Sequence, residues 1–470
     1  MISRYDLLDQ KEIEKTHHTA IKILKTIGIK VEGEQALNIY QSAGAGVDKE
    51  QIVKFPPAMI EAAIEKCRPR FSLYHRNTHE EMVVGDGNTR HAASGWTSLI
   101  LDWKNGQYRD AVLADLVESV KLCGALDQVG WFMSPLICSD IDASEMELYQ
   151  FKVGVEHSNK PMLLSASDKK TVEKIAHLGA ILAGGKKQLE TRPSFAIDIG
   201  ISSPLLLPEE VGDTLIACAE LGIPMAVYTS SMAGATSPVT LSGTLAGNHA
   251  EKLAAIVLAK LVNPEINIVY TGYSKTFDMQ YAAICAANPE YGLLQAAGVQ
   301  LGRHINLPTC SGMLNADSPQ LDMQAGIEKM GCTFLPLLSG ADLSTGMGLL
   351  SKLMVHSLEA LVIDAECVGY FNRLLKGIDV GDDKEIIDAY QEVGPGGEFL
   401  TTEHTLNFFK EEMWYPKFIY RGPVSYGKDG VETISMHTKV REFIEKTLES
   451  YRSPGLQSEF IEEFERIRNE

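Results

Sequence analysis

Aromatic, hydroxyl and thiol side chains recur in this sequence where short apolar runs stop. Trp96 follows "TRHAASG", Tyr228 stands with Thr229, Ser230 and Ser231 after "IPMAV", Tyr273 follows "INIVYTG", and Cys310 lies between Thr309 and Ser311 in "INLPTCSG". Phe277 comes shortly after Tyr273, and Asp342 follows "SGA". The pattern lacks the usual catalytic sets. There are no paired carboxylates for glycoside hydrolysis and no strand-ending lysine for a Schiff base. No His/Asp/Glu cluster suits a catalytic metal, and neither the P-loop pattern nor G-x-G-x-x-G after a strand occurs. Aromatic and hydroxyl walls without a strong acid or base suit an apolar cation, with cation–π contacts of roughly 0.5–2 kcal/mol per face once water is excluded. Asp342 either attracts such a cation or caps the next helix, and Phe277 reads equally as a core aromatic. Cys310 has three readings: pocket wall, zinc ligand with a distant histidine, or nucleophile.

These residues need a scaffold that brings strand ends together. Short apolar runs at 89–95, 130–137, 161–166, 194–200, 223–230, 266–272, 305–312 and 333–340 alternate with amphipathic stretches such as "AVLADLVESVKLCGAL" and "PEEVGDTLIACAELG". The runs are apolar at consecutive positions, as expected of parallel strands covered on both faces. Eight strand–helix units predict an α/β fold, a (β/α)8 TIM barrel over residues 89–380, whose functional residues gather at the C-terminal strand ends. A doubly wound open sheet is the alternative. Residues 1–88 read as helices and a hairpin packed on the barrel. Residues 381–470 read as a lid and helical extension.

The bulk numbers exclude several partners. Among 470 residues, 43 Lys+Arg stand against 62 Asp+Glu, a formal charge of −19. This argues against nucleic acid and anionic membrane surfaces. The charged opening "MISRYDLLDQKEIEKTHH" lacks an apolar h-region, and no apolar stretch is long enough to span a membrane, so a cytoplasmic protein is expected. The eight cysteines include no C-x-x-C pair and sit mostly in apolar runs, which reads as buried, reduced thiols.

Five segments taken together, "FDMQYAAICAANPE" (277–290), "SPQLDMQAGIE" (318–328), "LEALVIDAE" (358–366), "GPGGEFLTTEHT" (394–405) and "MWYPKFIYR" (413–421), resemble the trimethylamine methyltransferase family. The resemblance implies a barrel enzyme that passes a methyl group from an amine to the cobalamin (corrinoid) of a separate partner protein, with no tightly bound metal of its own. The trimethylamine-using members carry a pyrrolysine. Counting back from the shared C-terminal region places that position near Thr309–Cys310, where this chain has ordinary residues. The chain therefore is similar to the non-pyrrolysine branch, whose substrates are quaternary amines: glycine betaine first, then proline betaine, carnitine or γ-butyrobetaine. Glu398 stands where the family pattern has histidine, and no role is carried over to it.

The chemistry fits that departure. A quaternary ammonium already has a neutral tertiary amine as its leaving group, so the protein needs mainly orientation, worth roughly 7–11 kcal/mol, and exclusion of water. A thioether formed on Cys310 would be hard to cleave, which favours the pocket-wall reading. A betaine also carries a carboxylate, for which His356 and His404 are the candidate donors, with Arg421 a weaker third. Phe399, Trp414 and Tyr415 are expected to close the pocket as a lid. The chain lacks the Asp-x-His-x-x-Gly cobalamin pattern, so a cognate corrinoid protein is the expected partner, and the added terminal helices suggest a homo-oligomer. A non-catalytic betaine-binding barrel and a zinc-dependent alkyl transferase remain as competing readings.

Overall fold

Eight short parallel strands close into a barrel whose order in space is their order in sequence. They are β1 (Arg90–Ala93), β2 (Val129–Met133), β3 (Met162–Leu164), β4 (Phe195–Ile201), β5 (Met225–Thr229), β6 (Ile268–Gly272), β7 (Thr309–Gly312) and β8 (Leu343–Met347). Each leads to a covering helix: α1 (Leu113–Ala125), α2 (Met146–His157), α3 (Lys169–Ala183), α4 (Glu209–Leu221), α5 (Leu241–Val262), α6 (Pro289–His304), α7 (Met323–Leu338) and α8 (Leu358–Lys376). The structure is a computed structural model that describes residues 4–468 apart from 79, 94, 382, 424, 425, 428, 429 and 432–434. Among the described residues, no helix is long and apolar enough to cross a membrane.

The period-2 geometry of a strand sends alternate residues into the barrel and out to the helices. One inward residue from each strand (Ala92, Trp131, Leu163, Ala196, Ala226, Val269, Cys310 and Leu343) joins a single buried cluster. Three alanines in this ring leave room for the Trp131 indole, whose Nε1 donates to the Arg90 carbonyl at 3.0 Å. The same cluster contains Phe71, Leu73, Met82 and Val84. These come from an antiparallel hairpin, Phe71–Tyr74 paired with Glu81–Val84. The Tyr74 amide donates to the carbonyl of Pro193, just before β4, so the hairpin plugs the N-terminal end of the barrel. Each large side chain buried there contributes about 1.5–3 kcal/mol. The hairpin thus closes the barrel's lower end.

Two expectations need correction. The run at 333–340 is not a strand: it forms the last turns of α7, capped at its start by Asp322, whose side chain accepts from the Ala325 amide. A short apolar run has no period that separates strand from buried helix, and Pro336 near the helix end forfeits only one late backbone bond. The eighth strand is instead "LSTGM", whose hydroxyl and glycine residues mask its strand character. Asp342 consequently opens β8 at the barrel's N-terminal end, where its carboxylate accepts from the Thr309 amide at 2.8 Å and the Thr309 hydroxyl at 3.1 Å. It lies at the opposite end from the strand termini that were expected to hold a cation.

The ends of the chain wrap the barrel. Helix Gln10–Thr26, started by an Asp9/Glu12 capping box, packs along α5. Helix Met436–Ser450 lies against α1 and α8, and helix Ser458–Arg468 lies against α3. Between α8 and these helices, Ile378, Tyr390, Leu400 and Leu406 are exposed.

Candidate active site

Above the apolar ring, the strands turn polar and enclose a cavity of about 190 Å³. Asp198 points inward from β4, one inward position above Ala196. The next inward residue, Gly200, is paired in register with Tyr228 of β5. A side chain at Gly200 would put its Cβ 2.6 Å from the Tyr228 ring, so the absence of one admits the phenol into the barrel. Tyr273 follows β6 and meets Tyr228 edge to face, with ring centroids 5.3 Å apart at 62°. Trp96 leaves β1 with φ 47° and completes the aromatic wall. Met133, Leu349 and Leu353 supply apolar surface, and Thr345 and Asn315 polar surface.

The electrostatics are lopsided. Both carboxylate oxygens of Asp198 are buried without a hydrogen-bond partner, and burial raises its carboxyl well above the ordinary aspartate range. Leaving a buried carboxylate bare is costly unless a cation faces it. Burial also raises the phenols of Tyr228 and Tyr273, with the Asp198 charge adding to both shifts. The Trp96 indole nitrogen and Asn315 Oδ1 are likewise unpartnered, whereas Asn315 Nδ2 donates to Tyr291 Oη at 2.8 Å. On the wall, Lys275 Nζ donates to Ser230 Oγ at 2.6 Å, and burial lowers the ammonium to about 8. One small cavity therefore holds an unpaired carboxylate, aromatic faces and a lysine that makes no ion pair with that carboxylate.

The walls are held under strain. Besides Trp96, Leu314 and the consecutive residues Ser351, Lys352 and Leu353 adopt positive φ, at roughly 1–3 kcal/mol each. A buried pin fixes these loops. Lys329 Nζ of α7 donates to the carbonyls of Leu314 (2.6 Å) and Leu349 (2.9 Å) and to Asp364 Oδ2 of α8 (2.9 Å). The same oxygen accepts from the Gly348 amide at 2.8 Å. Two helices thereby clamp the two loops that carry Asn315, Leu349 and Leu353.

Of the residues singled out in the sequence, Trp96, Tyr228 and Tyr273 line this cavity. Cys310 lies beneath it in the apolar ring, its Sγ 4.0 Å from Tyr273 Oη. Burial raises that thiol, which keeps it protonated. Phe277 sits two residues beyond Lys275 in a short strand paired with Ala283–Cys285, outside the lining. His356 is fully buried behind the wall, with Nε2 2.9 Å from Ser119 Oγ. His404 packs at a tilt on Phe408, and Phe399 meets Tyr390 edge to face, in the C-terminal segment. Trp414 packs edge-on against Tyr370 of α8, with Arg421 over its ring at 5.4 Å. None of His356, Phe399, His404 and Trp414 lines the cavity, and Asp342 is at the other end of the barrel. Ser230, named with the strand-end hydroxyls, also lines the cavity, whereas the sequence reading missed Asp198, Lys275, Tyr291 and Asn315. Of these, the first carried a signal: an acid inside the apolar run "SFAIDIG" of a fully covered strand needs a reason to be there.

Comparison with known proteins places this geometry in context. A family model described as trimethylamine methyltransferase (MTTB) matches residues 1–468. The glycine betaine methyltransferase of Desulfitobacterium hafniense (strain Y51) is 30% identical over 465 residues, spanning 98% of this chain and 95% of the relative. The trimethylamine methyltransferase MttB of Desulfitobacterium hafniense (strain DSM 10664 / DCB-2) is 29% identical over 396 residues, spanning 84% and 80%. The crystal structure of the Methanosarcina barkeri monomethylamine methyltransferase (MtmB) shares the fold, with a TM-score of 0.51 and 11% identity over 96% of both chains. With a match that runs nearly end to end, the chain belongs to the trimethylamine methyltransferase (MTTB) family and is a methyltransferase.

Proposed function

We propose that this protein transfers a methyl group from a quaternary amine, glycine betaine before proline betaine, carnitine or γ-butyrobetaine, to the Co(I) corrinoid of a separate protein. The observation that carries the reading is the unpartnered Asp198 carboxylate inside an aromatic cavity at the open end of the barrel. A quaternary nitrogen has no N–H to donate. It is recognised by a carboxylate and ring faces rather than by directional hydrogen bonds. Lys275, with Ser230, offers the donor that a betaine carboxylate needs, on the same wall. The small cavity favours a short betaine over a long one.

The pocket residues act by position. Trp96, Tyr228 and Tyr273 exclude water and stabilise the cation, Asp198 opposes its charge, and Lys275 anchors the carboxylate so that one N-methyl faces the mouth. No acid is required, because the departing nitrogen leaves as a neutral tertiary amine. A cavity of about 190 Å³ does not admit a corrinoid macrocycle, so the methyl acceptor must be presented from outside. Val239, Met279, Tyr281, Met323 and Met354, exposed on the segments after β5, β6, β7 and β8, offer apolar surface for the protein that presents it.

The test mixes the purified protein with photoreduced cob(I)alamin and each quaternary amine, following methylcobalamin absorbance and the demethylated product. Methylcobalamin and dimethylglycine from glycine betaine support the reading. A signal with a longer betaine alone corrects the substrate. Silence with every quaternary amine, repeated with a cognate corrinoid protein, favours a barrel that binds betaines without turning them over.

A further inference from the structure

We propose that Asp198 is the counter-ion of the bound quaternary nitrogen and that the cation enters this pocket in exchange for a proton. The proposal rests on the quaternary-amine reading above and adds a protonation step to it.

The geometry is the starting point. Asp198 is 6% exposed, both its oxygens lack a hydrogen-bond partner, and it lines the cavity. Every titratable group facing it is accounted for. Tyr228 from β5, Tyr273 after β6 and Tyr291 from α6 are phenols that burial keeps neutral. Cys310 from β7 is a buried thiol, also neutral. The contributions of β1, β2 and β8 (Trp96, Met133 and Thr345) do not titrate. Lys275 is the one cation lining the cavity among the described residues, and its ammonium is directed to Ser230. Without a ligand, nothing compensates an ionised Asp198, so the carboxyl holds its proton. This agrees with the upward shift that burial imposes.

A quaternary ammonium changes that balance, because its charge is permanent and it brings no proton of its own. Its arrival supplies the missing countercharge, Asp198 ionises, and one proton passes to solvent. The reverse follows turnover. When the methyl group leaves, the nitrogen keeps the electron pair and becomes a neutral amine. Asp198 again lacks a countercharge until one proton returns from solvent, to the carboxylate or to the new amine. Proton uptake thus accompanies the loss of the cation.

Isothermal titration calorimetry of the intact protein with glycine betaine, repeated in buffers of different protonation enthalpy below neutral pH, reads this directly. The expected result is one proton released per betaine bound and an affinity that rises about tenfold per pH unit in that range. The isostere 3,3-dimethylbutanoate, which keeps the carboxylate but has neutral carbon in place of the cationic nitrogen, should release none. Asp198→Asn should release none with betaine and should flatten the pH dependence. Betaine binding with a heat independent of buffer, in the unaltered protein, overturns the exchange while leaving the function intact. Absence of binding by glycine betaine, proline betaine, carnitine, γ-butyrobetaine and tetramethylammonium alike overturns both.

Discussion

Replacing Lys275 with methionine removes the ammonium while keeping a long apolar stem against the cavity wall. Lys275 Nζ donates to Ser230 Oγ at 2.6 Å and has no acid as a partner among the described residues, so the substitution leaves none of them a bare carboxylate. A charge-assisted hydrogen bond is worth about 1.5–3 kcal/mol, so the Kd for glycine betaine should rise roughly 10- to 150-fold. Tetramethylammonium, which lacks a carboxylate, should bind with an affinity unchanged to within ~0.5 kcal/mol. Calorimetry on both ligands measures the difference. The pH profile supplies an independent check. Burial lowers the free Lys275 ammonium to about 8, and a bound carboxylate favours the charged form. The Lys275 contribution to betaine affinity is therefore fully present below about 8 and is lost as pH rises through that value, by up to about tenfold per unit. The methionine variant should lack this descending limb. Equal loss for both cations, or a limb that survives in the variant, would refute the assignment of Lys275 to the carboxylate.

Other substitutions probe the remaining parts. Gly200→Ala places a Cβ 2.6 Å from the Tyr228 ring, so the phenol must move: stability should drop by about 1–3 kcal/mol and KM for the amine should rise, measured by denaturation and steady-state kinetics. Cys310→Ala should leave kcat unchanged and cost about 1 kcal/mol of stability, whereas abolished turnover in a folded variant would restore a chemical role for the thiol. Lys329→Met strands Asp364 beneath the loops it clamps and should lower unfolding free energy by about 3–5 kcal/mol, with much of the loss recovered when Asp364 is also made leucine. His356→Gln should alter stability but not the KM for betaine, because His356 meets Ser119 rather than the cavity.

The repeating βα pattern was legible because parallel strands buried on both faces leave consecutive apolar residues, and seven of the eight expected runs overlap barrel strands. The eighth failed for a local reason: "TFLPLL" is as apolar as a strand but belongs to α7, while "LSTGM" carries almost no apolar signal. That single shift moved Asp342 from the presumed top of the barrel to its base. The aromatic lining of the cavity was readable because Trp96, Tyr228 and Tyr273 stand where strands end. The charged part was not. Asp198 is one acid within an apolar strand, and only the inward or outward sense of β4, fixed by its pairing with β5, shows which way it points. Lys275 follows its strand after a short turn, and linear sequence does not say that the turn folds back over the cavity. His356 shows the converse: its place near a strand end is legible in the sequence, but its burial against Ser119, away from the cavity lining, is not.

The hairpin that stoppers the barrel's base has a kinetic consequence. With Phe71, Leu73, Met82 and Val84 filling that end, the described residues leave the cavity a mouth at the opposite end, and under the proposed reaction the partner that presents the methyl acceptor would stand in it. On that reading amine and partner should arrive in a compulsory order, amine first, with the demethylated amine departing only after the partner has stepped aside. Excess partner protein should accordingly act as a competitive inhibitor of amine entry, in a manner that a barrel with a second opening would not display.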